Sequence, residues 1–149
     1  MFKTKGFLII ILIIISLVVI LASLYMLPSQ SARRAVGNFY EYEQEGEFSE
    51  SWELFHPLMK EKFDKGHYLQ DRAHVFMNHF GVTTFTFSLE GTDKVKKWSM
   101  EEGSHTFKLA YSTTVSQTFK GKYGTFHIQQ EVFAVREKGE WKLLWDYNK

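Results

Sequence analysis

The chain reads as an α+β protein: a transmembrane helix, then three helices packed on a curved antiparallel sheet. Three observations point there. Phe7 to Leu27 is a run of 21 residues without a charge. From Ser29 to Phe80 apolar residues recur with helical period, and after Gly81 the period changes to two. Gly-bearing turns then separate long alternating runs, the mark of hairpins. Helices first and strands afterwards is an α+β order.

The apolar run matches the ~20 residues that cross a ~30 Å hydrocarbon layer. A secretory signal is shorter, with an apolar region of ~7–15 residues, and Ser29-Gln30-Ser31 makes a weak cleavage point. We therefore expect residues 1–27 to be a cytoplasmic tail and uncleaved anchor, with Tyr25 in the interfacial belt and residues 7–27 in contact with lipid. Lys3, Lys5 and the terminal amine precede the span, while Arg33 and Arg34 follow it, which leans toward a cytoplasmic N-terminus. Residues 28–149 then form one domain on the outer side. Two domains would be too small to bury separate cores.

Lys3 and Lys5 are the only charged residues before Pro28, so the domain carries 16 basic against 17 acidic side chains. That balance gives no footprint for a phosphate backbone, and no nucleic-acid partner is expected. The absence of Cys excludes disulfides, thiol nucleophiles and cysteine-ligated zinc.

Pro28 with Ser29 or Ser31 as cap opens the first helix of the domain. Ala32, Ala35, Val36, Phe39 and Tyr40 form its apolar face, and Gly46 ends it. Phe48 and Ser49 open a short second helix with Trp52, Leu54 and Phe55, stopped by Pro57. A third is expected from His67 to Phe80, with Leu69, Phe76 and Phe80 at the centre of its stripe, flanked by Tyr68, Ala73, Val75 and Met77. Thr83 to Leu89 alternates as a strand, and a weaker strand holds Val95 and Trp98. A long strand from His105 to Phe119 presents Phe107, Leu109, Tyr111, Val115 and Phe119 inward. Its outward set, Thr106, Lys108, Ala110, Ser112, Thr114, Ser116 and Thr118, reads as a wet face. Strands from Thr125 to Arg136 and from Trp141 to Tyr147 complete the meander. In the last strand Trp141, Leu143, Trp145 and Tyr147 face in, against Lys142, Leu144, Asp146 and Asn148.

This order resembles the nuclear transport factor 2-like (cystatin-like cone) superfamily. The carriers are the two-helix opening Tyr42-Glu43-Gln44-Glu45-Gly46-Glu47-Phe48 with Trp52-Glu53-Leu54, and above all the tail. That tail is Gly121-Lys122-Tyr123-Gly124, Phe126-His127-Ile128, Phe133-Ala134-Val135-Arg136, Gly139 and Trp141-Lys142-Leu143-Leu144-Trp145-Asp146. It is similar to the N-terminal, non-catalytic domain of penicillin-binding transpeptidases of the methicillin-resistance type, over roughly Ala32 to Tyr147. The sequence has no Ser-x-x-Lys and no Lys-Thr-Gly, so the transpeptidase chemistry of that family does not carry over. The resemblance implies a membrane-tethered, extracytoplasmic binding module connected with cell-wall synthesis or antibiotic response, with a protein or cell-wall partner. A conjugation- or secretion-channel subunit of the same fold is the alternative, and a small-ligand enzyme using the cone is a third reading.

Candidate chemistry is sparse. His67, Asp71 and His74 present two imidazoles and a carboxylate on one helix face, a ligand set zinc favours. They lie opposite the apolar stripe, which makes them a solvated face, so neither metal nor cofactor is expected. Tyr111, Phe126, Gln130, Trp141 and Trp145 are the expected cone lining, either as ligand pocket or simply as core. Gln130 cannot serve as a general base, and with no inward acid the cone is expected not to be an enzyme. Glu41, Glu43, Glu45, Glu47 and Glu50 read as a solvated helix end.

Overall fold

A computed structural model describes residues 2–25 and 27–148, without the side chains of residues 2–5, 25, 76 and 77. The expected places of the Tyr25, Phe76 and Met77 side chains lie outside the described residues. Helix α1 is Phe2–Tyr25, and its segment Gly6–Leu24 is long and apolar enough to cross a membrane, with none of it buried. Leu27 is extended (φ −56°, ψ 137°) and breaks the helix; Pro28 then opens α2, Pro28–Glu45. No serine caps α2, contrary to expectation. Pro28 has no N–H to satisfy at the first position, and the Ser31 hydroxyl instead accepts from Arg34 at 3.0 Å. At the other end Gly46 takes the left-handed conformation (φ 78°), as its place after the last periodic residue predicts.

Four shorter helical pieces follow where the sequence suggests two. They are α3 (Phe48–Glu53), α4 (Pro57–Lys62), α5 (Lys65–Arg72) and a π-helical continuation, Ala73–His79. Pro57 separates α3 from α4, yet it also starts α4, because proline suits a first helical position. His56 is the N-cap, its Nδ1 accepting from Leu58 N–H at 3.2 Å. Asp64 caps α5 in the same way through His67 N–H. The buried residue of α5 is Tyr68, at 3% exposure, and not Leu69; Phe80 is 38% exposed.

The sheet is an antiparallel meander in the order β1 (Phe85–Ser99), β2 (Thr106–Gly121), β3 (Gly124–Glu137) and β4 (Glu140–Trp145). It is open, neither strongly curled nor closed, where a curved cone was expected. The two expected first strands are a single one: the register shifts between Glu90 and Asp93, with Gly91 at φ 63° forming a bulge inside β1. Both edges are covered over part of their length. Arg33 donates to the carbonyls of Leu89 and Gly91, each at 2.6 Å, and Gln44 Nε2 to that of Phe85 at 2.6 Å, so α2 guards β1. At the far edge Leu54 and His56 bracket Leu143 in one parallel bridge, with His56 N–H to Leu143 O at 3.0 Å. Satisfied edge groups do not recruit a further strand.

The main core lies between α2–α5 and the sheet face carrying Phe85, Val115, Phe119, Val132 and Leu143, with Phe39, Tyr40 and Phe55 opposite. The other face is not simply wet. Ser112, Phe133 and Leu144 form one cross-strand row and are buried, as are Ala110 and Val135. Their cover is the end of β1. Lys97 takes φ 53°, Trp98 stacks on Phe133 with centroids 4.0 Å apart, and buried Met100 accepts from Tyr147 N–H at 2.8 Å. Leu109, expected inside, is 38% exposed, and β4 stops at Trp145, two residues early.

His56 is buried, and desolvation holds its imidazole below the ordinary 6.5, partly offset by Glu137, whose carboxylate stands 3.6 Å from Nε2. A neutral ring is what the Leu58 cap requires. The unfolded chain takes up this proton more readily than the folded one, so the contribution is whole above pH 6.5 and shrinks as pH falls below it. Urea midpoints measured above and below that value should drop on acidification. His56→Asn keeps an acceptor for the cap without titrating, and should flatten that part of the slope.

Candidate functional site

Two cavities lie between the helices and the sheet, on either side of Arg72. The smaller, about 140 Å³, is lined by Glu43, Phe48, Arg72, Val82, Thr84, Phe85 and Phe119 among others. The larger, about 300 Å³, is lined by Phe39, Tyr40, Arg72, Gln117, Ile128, Gln129, Gln130 and Trp145.

Glu43 occupies the junction. Its position on α2, three and four residues beyond Tyr40 and Phe39, puts it on the buried face, where it is 3% exposed. The expectation of a solvated acid is therefore corrected for this residue; the helical spacing itself was the signal. Tyr68 and Arg72, one turn apart on α5, both reach it. The Tyr68 hydroxyl donates to Oε1 at 2.5 Å, the Ser51 hydroxyl donates to the same oxygen, and the Arg72 guanidinium pairs with Oε2. Burial pushes the Tyr68 hydroxyl well above the ordinary phenol range, and the adjacent Glu43 charge adds to it. Burial raises Tyr40 likewise, with Arg72 pulling the other way. Both phenols therefore act as donors and not as acids. A carboxylate matched by a guanidinium on one oxygen and two hydroxyls on the other ties the helices together.

The larger cavity is different. Tyr40 donates to Gln130 Oε1 at 3.2 Å. Gln117 is 5% exposed, and its Nε2 meets no hydrogen-bond partner among the described residues; the same holds for Trp145 Nε1. Both nitrogens lie behind the cavity wall, with almost no surface of their own, so a ligand would reach them only after a side chain moves.

Of the five expected lining residues, the structure brings together only Gln130 and Trp145, and Trp145 is half-buried against Phe55 and Phe63. Tyr111 and Trp141 pack edge to face at 5.6 Å elsewhere, with Arg136 4.7 Å over the Trp141 ring. Phe126 stacks on Phe119 at 5.0 Å, near Phe80. His67, Asp71 and His74 are exposed, as a solvated face should be. His67 turns to Asp64, and His74 Nδ1 lies 3.1 Å from Asn78 Nδ2. No group of three or more His, Asp or Glu with metal-binding geometry occurs among the described residues.

A scan of the chain against protein-family models finds no match, and a search of curated proteins finds none either.

Glu43→Gln leaves Arg72, whose side chain is 19% exposed, without this counter-charge; a fully buried pair loses ~3–5 kcal/mol, and the residual exposure reduces that here. Denaturant unfolding should show that loss. By contrast, replacing His67 and His74 together by Ala should change stability by less than ~0.5 kcal/mol. A stoichiometric metal that disappears in the double variant would contradict the solvated-face reading.

Proposed function

We propose that the chain is a membrane-anchored, non-catalytic binding module of the nuclear transport factor 2-like kind, standing outside the cytoplasmic membrane and serving cell-wall synthesis or the response to antibiotics. The observation that carries the anchored-module reading is the join. An unburied apolar helix ends at Tyr25, and the first helix of a packed α+β domain begins at Pro28. Such a join presents a domain to the bilayer surface and leaves little freedom to wander from it.

The non-catalytic reading is supported by Glu43. It is the only buried carboxylate among the described residues, and it is neutralised by Arg72, Tyr68 and Ser51. General acid–base catalysis needs a group poised to exchange a proton with substrate. The family reading draws on the tail, whose residues Phe133 to Asp146 supply the β3–β4 hairpin, with Lys138 and Gly139 as a two-residue turn of positive φ. Within this reading we assign the binding role to the larger cavity, whose wall includes Gln117, Gln130 and Trp145.

Two measurements test this reading. Protease added to intact protoplasts should digest residues 28–149 and spare a short anchor fragment; full protection would put the domain inside. Proximity labelling from the full-length protein in its native host should then mark proteins of wall synthesis. Labelling of a transfer or secretion apparatus instead would move the protein to that system.

A further inference from the structure

Helix α2 runs antiparallel to β1 with a regular correspondence. Gln44 meets Phe85, Tyr40 packs against Phe87 with ring centroids 5.7 Å apart, Gly37 lies against Leu89, and Arg33 binds the carbonyls of Leu89 and Gly91. Going toward the N-terminus of α2 is therefore going toward the C-terminal end of β1. From Arg33 back to Pro28 is only ~7.5 Å of helix. From Gly91 on to Lys94 and Lys97 is ~10–20 Å of strand. The last third of β1 thus reaches the level at which α2 begins, and α2 begins three positions after Tyr25, the last described residue of α1, with extended Leu27 just before it.

That end of the sheet is cationic. Lys94, Lys96 and Lys97 are exposed, and so is Lys108 between the register partners of Lys96 and Trp98. None of the four forms an ion pair among the described residues, whereas Lys60, Lys62, Lys65 and Lys142 do. Asp93 stands in the strand segment beyond the bulge, and the turn after β1 adds Glu101, paired with Lys62, and exposed Glu102. Exposed Leu109 lies beside Lys96 on one face of the sheet, and Lys108 lies on the other, so the lysines ring the end of the sheet.

We infer that Lys94, Lys96, Lys97 and Lys108 form a docking surface for the anionic headgroups of the bilayer that anchors the chain, holding the domain by its β1 end against the membrane. The inference rests on the proposal that α1 spans that bilayer. The occupant follows from position and charge: four unpaired lysines, against Asp93 and exposed Glu102, stand around the level of Pro28, where the chain meets the bilayer that anchors it. Each lysine near an anionic surface contributes about fivefold to the docked population, and the attraction decays within a Debye length. Lysines on a sheet edge also deter strand addition. That role predicts self-association on their removal and no dependence on lipid charge.

The chain has no Cys, so one introduced cysteine gives one fluorescent label. Thr106→Cys places it at the lysine end, opposite Ser99, and Tyr123→Cys places it on the 80% exposed tip of the β2–β3 turn, at the other end. The full-length protein is reconstituted in vesicles of phosphatidylcholine, with or without phosphatidylglycerol, carrying a headgroup-level quencher. Flotation with neutral vesicles checks the anchor separately; failure to float overturns the anchoring reading and the docking with it. In floated samples, quenching at position 106 should be severalfold stronger with phosphatidylglycerol, weaken in high salt, and fall to the neutral-lipid level in K94Q/K96Q/K97Q. The label at position 123 should not respond. Equal quenching at position 106 in both lipids, or no loss in the triple variant at an unchanged thermal midpoint, overturns the proposal.

Discussion

The carboxylate of Glu43 is where three helices meet, and the arrangement of the helical layer depends on it. It is carried by α2, receives a hydroxyl from Ser51 of α3, and binds Tyr68 and Arg72 of α5. Burying a charge costs several kcal/mol unless its lone pairs are all answered. Only one placement of α3 and α5 on α2 answers them, so the apolar contacts, which are tolerant of sliding, acquire a fixed register. Arg72 is thereby held as the wall between the two cavities.

Helix α2 has a second task at the sheet. Arg33 and Gln44 lie on its flank and close the exposed carbonyls of β1, while the α3–α4 connection closes β4. A four-stranded open sheet has two edges at risk of pairing with other chains. Here both are covered by backbone or side chains of the helical layer over part of their length. The remaining part of β1 is the lysine segment. A long strand with alternating apolar residues stays soluble on these terms without closing into a barrel.

Much of this architecture was legible in the sequence because it is written in local periodicity. Ala32, Val36, Phe39 and Tyr40 mark α2, Gly46 marks its end, and Gly139 marks the last turn. The missed features are those decided by distant parts of the chain. Phe133-Ala134-Val135 is an uninterrupted apolar run, which signals burial on both faces. Alternation alone sends half of such a run to solvent, because the cover, Trp98 to Met100, comes from a strand two places away. Leu144 was misplaced for the same reason. Glu43 sits in a row of acids, yet it shares a helical face with Tyr40; charge composition hides what spacing displays. The π-helical segment Ala73–His79 has no sequence mark that we can name. The expected lining failed as a set because it assumed a cone: an open sheet spreads Phe126, Trp145 and Tyr111 along its length.

The same geometry constrains how the domain can meet anything else. With α2 antiparallel to β1, the β2–β3 turn at Lys122 and Tyr123 lies at the end of the sheet away from Pro28, beside the C-terminal end of α2. Exposed Glu41, Glu45 and Glu47 gather near that end of α2, and the unpaired lysines of β1 gather at the other. A nearly neutral domain carries both signs at each end, with Lys120 and Lys122 near those acids and Glu102 beyond the lysines. The orientation with the lysine end down therefore rests on local contacts of those lysines and not on an overall dipole. Orientation in turn decides access: the larger cavity, with Gln117 and Trp145, lies along the middle of the domain, flanked by α2 and the sheet, and so remains open from the side when the lysine end is against lipid.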